Sequence, residues 1–466
     1  LGPAILGSAQ FWKGLSTWIA GYRAVLGAAE GAMNFPWFCL RSRRPRVTYQ
    51  PREHLMYQLL RYGVALSVAL ISLTASANLQ DQLDALEPGA SFELPSEQLP
   101  PLVIRVPGVS VSCADDSVID AGGAGHGVEI LAEGVSFSGC VVRNWGQDLN
   151  ELDAGIFVAR EAKGAVVADN RLQGPAFGVW LDATPDVVVR NNEIRGDTNL
   201  RSQDRGNGIH LFNTTGALIE GNDIRQTRDA IYIETANNNK IRNNVMSDLR
   251  YGIHYMYSMH NLLEGNVTRG TRTGYALMQS KYLTVVNNRS ENDENYGILM
   301  NFITNSTLKG NVVTGVSQGQ TGGVMISGGE GKAVFIYNSL YNTFEGNYFG
   351  NSNIGIHLTA GSEQNEVFDN AFVNNERQVK YVATRTQSWA KDGRGNFWSD
   401  YLGWDRNQDG IGDVPYEPKD NVDRLFSPAV DTLRWVQDAF PVVKSAGVSD
   451  PKPLMRIPEH LQSEIR

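Results

Sequence analysis

The 466-residue chain carries 41 Lys and Arg against 50 Asp and Glu, a formal net charge of −9. That balance excludes a protein that holds nucleic acid by neutralising phosphates, because such binding rests on clustered cationic side chains. The length suits more than one ordinary domain, yet 48 glycines and an asparagine-rich middle favour tight turns over long helices.

Residues 1–55 start at Leu1 and hold a basic cluster at Arg41, Arg43, Arg44, Arg46 and Arg52. They read as an upstream or non-native extension translated from a misplaced start, the alternative being a genuine membrane-proximal segment. Residues 56–77 predict a secretory signal. Met56 serves as initiator, Arg61 gives the positive end, Val64 to Leu73 is the apolar run, and Ala75-Ser76-Ala77 is a small-x-small cleavage site. The run is too short for a comfortable membrane span. Residues 1–77 hold eight Lys/Arg and two Asp/Glu, so the −9 of the whole chain becomes −15 over residues 78–466. That suits an exported protein, or one that meets a cation.

Residues 78–102 predict an N-terminal cap, with Leu79, Leu83 and Leu86 at near-helical spacing before Pro88-Gly89. Two coils are expected between Val103 and Val142. Of the three cysteines, Cys113 and Cys140 follow the signal, on strands that look one rung apart. A disulfide in an oxidising compartment and two buried thiols are both open.

From residue 155 a repeat governs the chain. An apolar strand ends nine times in asparagine, at Asn170, Asn192, Asn222, Asn244, Asn266, Asn288, Asn311, Asn347 and Asn370. Between these stands a small residue followed by an alternating strand, at Gly155, Gly178, Gly208, Ala230, Gly252, Gly274, Gly297, Gly323 and Gly355. Coils of about 22 residues with two or three short strands each predict an all-β fold, a right-handed parallel β-helix over 103–395. Stacked asparagines form an amide ladder and tolerate left-handed angles at a sharp corner, which makes them scaffold. Two stretched coils are expected as surface loops. One lies between Asn192 and Gly208 and includes Asp204 and Arg205; the other lies between Gly323 and Asn347.

The second and fourth residues after each Gly point outward. One outer face then carries His210, His254, Met256, Met278, Met325 and His357, with Met259 and His260 at the following corner. Methionine is unusual on a solvent face, and thioether with imidazole is a ligand set for Cu(I). The plainer reading is methionine filling gaps among Tyr255 and Tyr257. A carbohydrate-acting β-helix instead needs clustered carboxylates and a base; Asp182, Asp204, Arg205, Arg228, Asp229 and Glu234 read as scattered over several coils, with no compact acid–base pair.

An aromatic and Asp-rich C-terminal cap is expected over 396–426. Its segment Asp405, Asn407, Asp409, Gly410, Asp413 matches the first half of a calcium loop, but Tyr416 stands where the bidentate Glu belongs. The alternative is a capping loop held by Phe397, Trp398, Tyr401 and Trp404. Over 427–466 a helix is predicted, with Val430, Leu433, Trp435, Val436 and Phe440 as its apolar stripe and Pro441 as its stop, followed by a polar tail.

The coil Leu249-Arg250-Tyr251-Gly252-Ile253-His254-Tyr255-Met256-Tyr257-Ser258, the strand Arg228 to Glu234, and the closing phrases Gly395 to Tyr401 and Asp409 to Asp413 with Pro415-Tyr416 resemble the NosD family. These are periplasmic copper-processing proteins of nitrous oxide reductase maturation, and the resemblance spans roughly residues 78–440. It implies a periplasmic, non-enzymatic role beside the permease and ATPase subunits of an inner-membrane ABC transporter complex. A membrane-anchored copper chaperone supplies such a protein, and apo nitrous oxide reductase receives copper for its copper-sulfide centre. With that resemblance, His254, Met256 and Met278 are expected to form or share a Cu(I) site, with His210, Met259, His260 and Met325 as further candidates and calcium a possible second metal. The alternative is a periplasmic β-helix epimerase or lyase.

Overall fold

The computed structural model describes residues 79–318, 329–359, 361–381, 386–418 and 447–465, all within one compact unit, Ala69–Arg466. The extension 1–55, the signal 56–77, the helix over 428–440 and Met325 lie outside the described residues.

Each coil contributes one short strand to each of three parallel sheets of 12, 13 and 12 strands, and every sheet takes every third strand in chain order. This is the parallel β-helix that the repeat requires. One coil runs Lys240–Arg242 in the first sheet, Val245–Ser247 in the second and Tyr251–Met256 in the third. The alternation is physical. Ile241, Met246, Ile253 and Tyr255 are buried, while their strand neighbours Lys240, Arg242, Val245, Ser247, His254 and Met256 face out. Stacking places like on like, so the core is one continuous column of aliphatic and aromatic side chains.

The small residue opening each third-sheet strand is dictated by space. A Cβ at Gly252 would lie 2.4 Å from Thr268 Cγ2 and 2.6 Å from the Gly274 carbonyl oxygen. Ala333, not Gly323, occupies this place in its coil: the strand is Lys332–Tyr337, with Ala333 beside Gly297. The offset from Ala333 to Asn347 is then the ordinary 14 residues, and the stretched segment falls before the strand rather than after it. A glycine-rich insertion that itself contains Gly-Gly-Val-Met-Ile-Ser misled the spacing.

The asparagine ladder runs through ten residues, from Asn170 to Asn396. Each amide nitrogen donates to the next amide oxygen at 2.8–3.0 Å. The same oxygen also accepts the backbone N–H one coil below, as Asn266 does from Asn244 at 3.1 Å. From Asn170 to Asn370 the left-handed corner residue is the one before the ladder asparagine, for example Asn191, Asn243 and Asn287, or Gly221 and Gly265. The ladder residue itself is spared that conformation, because its side chain must point inward to find its partners.

Both ends of the ladder are tied. At the first coil Cys140 N–H donates to Asn170 Oδ1 at 3.0 Å, and Cys140 is joined to Cys113 by a disulfide with Cα atoms 5.1 Å apart. At the last, Asn396 donates to Asp450, whose Oδ2 also takes the Trp398 indole N–H at 2.8 Å. A short helix at 79–84 covers the first coil with buried Leu79 and Leu83. The tail is structural as well. It turns back along the second sheet, burying Leu461 against Val312, Tyr348, Ala371 and Val373 and pairing Glu464 with Arg289 at 2.8 Å.

Candidate metal centre on the third sheet

Strands Asp229–Glu234, Tyr251–Met256, Thr273–Met278 and Tyr296–Asn301 lie side by side in the third sheet. Their register sets two outward rows. One reads Tyr232, His254, Ala276; the other reads Glu234, Met256, Met278, Asn301. Met256 and Met278 are therefore direct neighbours across one coil step of about 4.8 Å. His254 lies two residues upstream of Met256 on the same face.

His254 is held on every side but one. Its ring stacks on Tyr232 at 4.3 Å with planes 11° apart, and the Tyr251 ring meets it edge-on at 5.0 Å. Its Nδ1 lies 3.1 Å from Asp229 Oδ2. Asp229 is fully buried and grips the Arg250 guanidinium through both oxygens, at 2.8 and 2.6 Å. Burial pushes the Asp229 carboxyl up, but the His254 and Arg250 hydrogen bonds outweigh it and hold the group below the ordinary carboxylate range. Burial also raises the Tyr232 hydroxyl to about 12, so this ring stays neutral. Among the described residues His254 Nε2 has no hydrogen-bond partner.

His210 belongs to the same row as Tyr232 and His254 but is not available as a ligand. It is buried, its ring 4.1 Å from Trp180 and 4.7 Å from Tyr232. Arg228 donates to Asn207 Oδ1 at 3.3 Å, which turns the Asn207 amide nitrogen toward His210 Nδ1 at 3.2 Å. The imidazole then accepts at Nδ1 and donates from Nε2 to Glu234 Oε2 at 3.2 Å. Burial dominates its titration and lowers its pKa, consistent with a neutral structural ring.

Met259 and His260 sit at the next corner. Met259 is exposed, and His260 adopts φ 56° with its ring stacked 4.8 Å from Tyr282. They open onto an apolar corner shared with exposed Tyr257, Phe302, Tyr337 and Tyr341. Met300 points inward and is fully buried.

The carboxylates read as scattered are partly gathered. Asp229 and Glu234 occupy one strand, flanked by His210 and His254 on its two neighbours. Asp182 lies two strands from Glu234 in the same row, and Asp204 pairs locally with Arg201 at 2.6 Å. Arg205 donates to the carbonyls of Leu200 and Gln226, so it fastens the inserted loop.

The acidic cap loop uses its side chains on itself. Asp405 accepts from the N–H groups of Asp409 and Gly410, Asp409 from Ile411, and Asp413 from Arg406, while Asn407 donates to Asp409. The loop rests on Trp398 stacked with Tyr416 at 4.4 Å and on Tyr401 bonded to the Val414 carbonyl, whereas the Trp404 residue is 61% exposed and joins the loop through its carbonyl, which accepts the Asp413 N–H at 2.8 Å. Among the described residues no three or more His, Cys, Asp or Glu side chains are grouped to hold a metal ion. Among the described residues the thioethers of Met256 and Met278 with the His254 imidazole form a donor set of the kind that suits Cu(I).

Residues 190–403 match the family described as periplasmic copper-binding protein (NosD). The "Probable ABC transporter binding protein NosD" of Stutzerimonas stutzeri is 52% identical over 415 residues, 85% of this chain and 95% of that protein. The chain belongs to the NosD family. A second relative of the same description, from Pseudomonas aeruginosa, is 57% identical over 357 residues, 74% of this chain and 83% of its own length. The NosD match spans His210, His254, Met256, Met278 and Met325, and ends before Asp405. Among solved structures, a mannuronan C-5 epimerase A-module of Azotobacter vinelandii aligns with TM-score 0.51 at 14% identity, covering 67% of this chain and 95% of that one. A family 28 exopolygalacturonase of Yersinia enterocolitica aligns with TM-score 0.50 at 11% identity, covering 68% and 75%. At such identities the likeness is one of fold.

Proposed function

We propose that this NosD-family protein receives and hands over Cu(I) in the periplasm, as the binding subunit of an ABC transporter complex that matures the copper-sulfide centre of nitrous oxide reductase. Its partners on this reading are the permease and ATPase subunits, a membrane-anchored copper chaperone and the apo reductase. The observation that carries the reading is the register pairing of Met256 with Met278 beside His254, whose Nε2 has no hydrogen-bond partner among the described residues. Three soft or borderline donors from two adjacent coils match the low coordination number and ligand preference of Cu(I). The set is sparse and lies on an open face bordered by exposed Met259, Tyr257 and Tyr282, so a partner can add a ligand during transfer. Carriage between proteins needs a site of that kind more than a closed cage.

The test is Cu(I) titration of the purified protein against a competing chelator, alone and with the chaperone. Tight binding that is lost in a His254→Ala/Met256→Ala/Met278→Ala variant supports the reading; unchanged binding in that variant under both conditions removes it. Turnover of a uronate polymer by the purified protein would instead favour the epimerase or lyase alternative.

A further inference from the structure

A carboxylate only accepts hydrogen bonds. Asp229 Oδ1 takes Arg250 Nε, and Oδ2 takes both Arg250 Nη2 and His254 Nδ1. The proton between Asp229 and His254 therefore sits on Nδ1, and the atom across the ring, Nε2, points away from Asp229 as the unprotonated one in the neutral imidazole. Tyr232 against the face and Tyr251 against the edge stop the ring from swinging, and the side chain is only 12% exposed. His210, two row positions from His254 on the far side of Tyr232, has the opposite arrangement, with Nδ1 accepting from Asn207 and Nε2 donating to Glu234. Two histidines in one row are thus wired oppositely, one with both nitrogens consumed and one whose Nε2 has no hydrogen-bond partner among the described residues.

Asp229 has no packing reason to be charged. The residues at the same place in other coils are apolar or neutral at Ala154, Phe177, Tyr251, Thr273, Tyr296 and Ile354 and basic at Lys332 and Arg377, so the fold accepts uncharged side chains there and Asp229 is the one acid in this series. A buried carboxylate costs free energy unless it is paired, and Arg250 is the partner that keeps it ionised.

We propose that Asp229, held by Arg250, is a positioning residue that locks His254 in the Nδ1–H tautomer and presents Nε2 as the imidazole donor for Cu(I). This rests on the copper reading above and adds to it a mechanism for keeping the site preformed. Carboxylates that orient a ligating imidazole typically set metal affinity by about 10–100-fold.

The experiment is long-range 1H–15N NMR of histidine-labelled full-length protein without metal, with His254 assigned by its loss in His254→Ala, combined with Cu(I) competition titration. The wild type is expected to show His254 as the Nδ1–H tautomer. The nearly isosteric Asp229→Asn, which keeps the volume while removing the charge, is expected to release the tautomer to a mixture and to weaken Cu(I) by about 10–100-fold. An Nε2–H tautomer in the wild type overturns the proposal, and this needs no variant to fold. Wild-type Cu(I) affinity in Asp229→Asn also overturns it, whatever the tautomer does. The two readings separate at the ligand variant: unchanged Cu(I) binding in His254→Ala/Met256→Ala/Met278→Ala, alone and with the chaperone, removes the copper reading itself, whereas binding lost there with wild-type affinity in Asp229→Asn removes only the positioning role.

Discussion

Met256 and Met278 occupy the same register position on neighbouring strands of the third sheet, and no element of the scaffold requires either of them. Inward positions of this β-helix hold the core, and ladder asparagines hold the corners. Outward methionines on two successive coils do neither, so their substitution separates function from fold. Met256→Leu and Met278→Leu preserve volume and are expected to cost less than about 1.5 kcal/mol of stability each. Each is expected to weaken Cu(I) by at least about tenfold, a loss of one thioether donor, read by chelator competition. Wild-type affinity in both single variants and in the double variant would show that the thioethers are filler.

The ladder is expected to respond in the opposite way. Asn266 Oδ1 accepts from Asn244 N–H and from its amide, and Asn266 Nδ2 donates to the Ile241 carbonyl at 2.8 Å. Asn266→Ala strands these buried groups and should destabilise the protein by about 3 kcal/mol, the cost of unsatisfied buried donors and acceptors. Denaturant unfolding measures the loss. Cu(I) affinity of the folded fraction should stay at the wild-type level, because the ladder corner lies between the first and second sheets and the methionines lie on the third.

Cys113 and Cys140 are separated by 27 residues in sequence and bonded at the first coils. Loop-closure entropy for that length predicts about 3.5 kcal/mol of stabilisation. The Cys113→Ser/Cys140→Ser variant should lose stability of that order and fray first at the N-terminal coils, where hydrogen exchange would speed up before the coils around Asn288 respond.

His357 gives a pH signature well away from the methionines. Burial pushes its imidazole down to about 4, with Lys380 and Lys332 adding to the effect, and its buried Nδ1 has no hydrogen-bond partner among the described residues. The unfolded chain takes up this proton near pH 6.5 and the folded chain only near 4. Between those values the unfolded state binds more protons, so stability falls as pH is lowered through the window. His357→Phe, on a face where the Phe335 ring already lies tilted against it at 5.0 Å, should flatten that part of the stability profile. An unchanged slope between pH 6.5 and about 4 would assign the acid sensitivity to other groups.

The repeat made the fold legible because a strand period of two and a fixed coil length leave one architecture that buries every apolar residue. The pairing of Met256 with Met278 followed from the same arithmetic. What spacing could not supply was the depth of each outward position. His210 counts as outward by register, yet Trp180, Tyr232 and Asn207 close over it. Asp229 precedes the small residue of its strand, and its link to Arg250 and His254 spans 21 and 25 residues. A lone acid at a place filled elsewhere by Phe177, Thr273 or Ile354 was the available signal. The Gly323 phrase has the local pattern of a coil start but not the offset, since the usual 14 residues before Asn347 lead to Ala333, which sits beside Gly297.

The most direct measurement is copper K-edge X-ray absorption of the Cu(I)-loaded protein beside its Met256→Leu/Met278→Leu variant. The account predicts a mixed shell of sulfur and one imidazole nitrogen in the wild type, with the sulfur scattering lost in the variant. A wild-type shell of nitrogen and oxygen alone, or a sulfur shell that survives the double substitution, would contradict it.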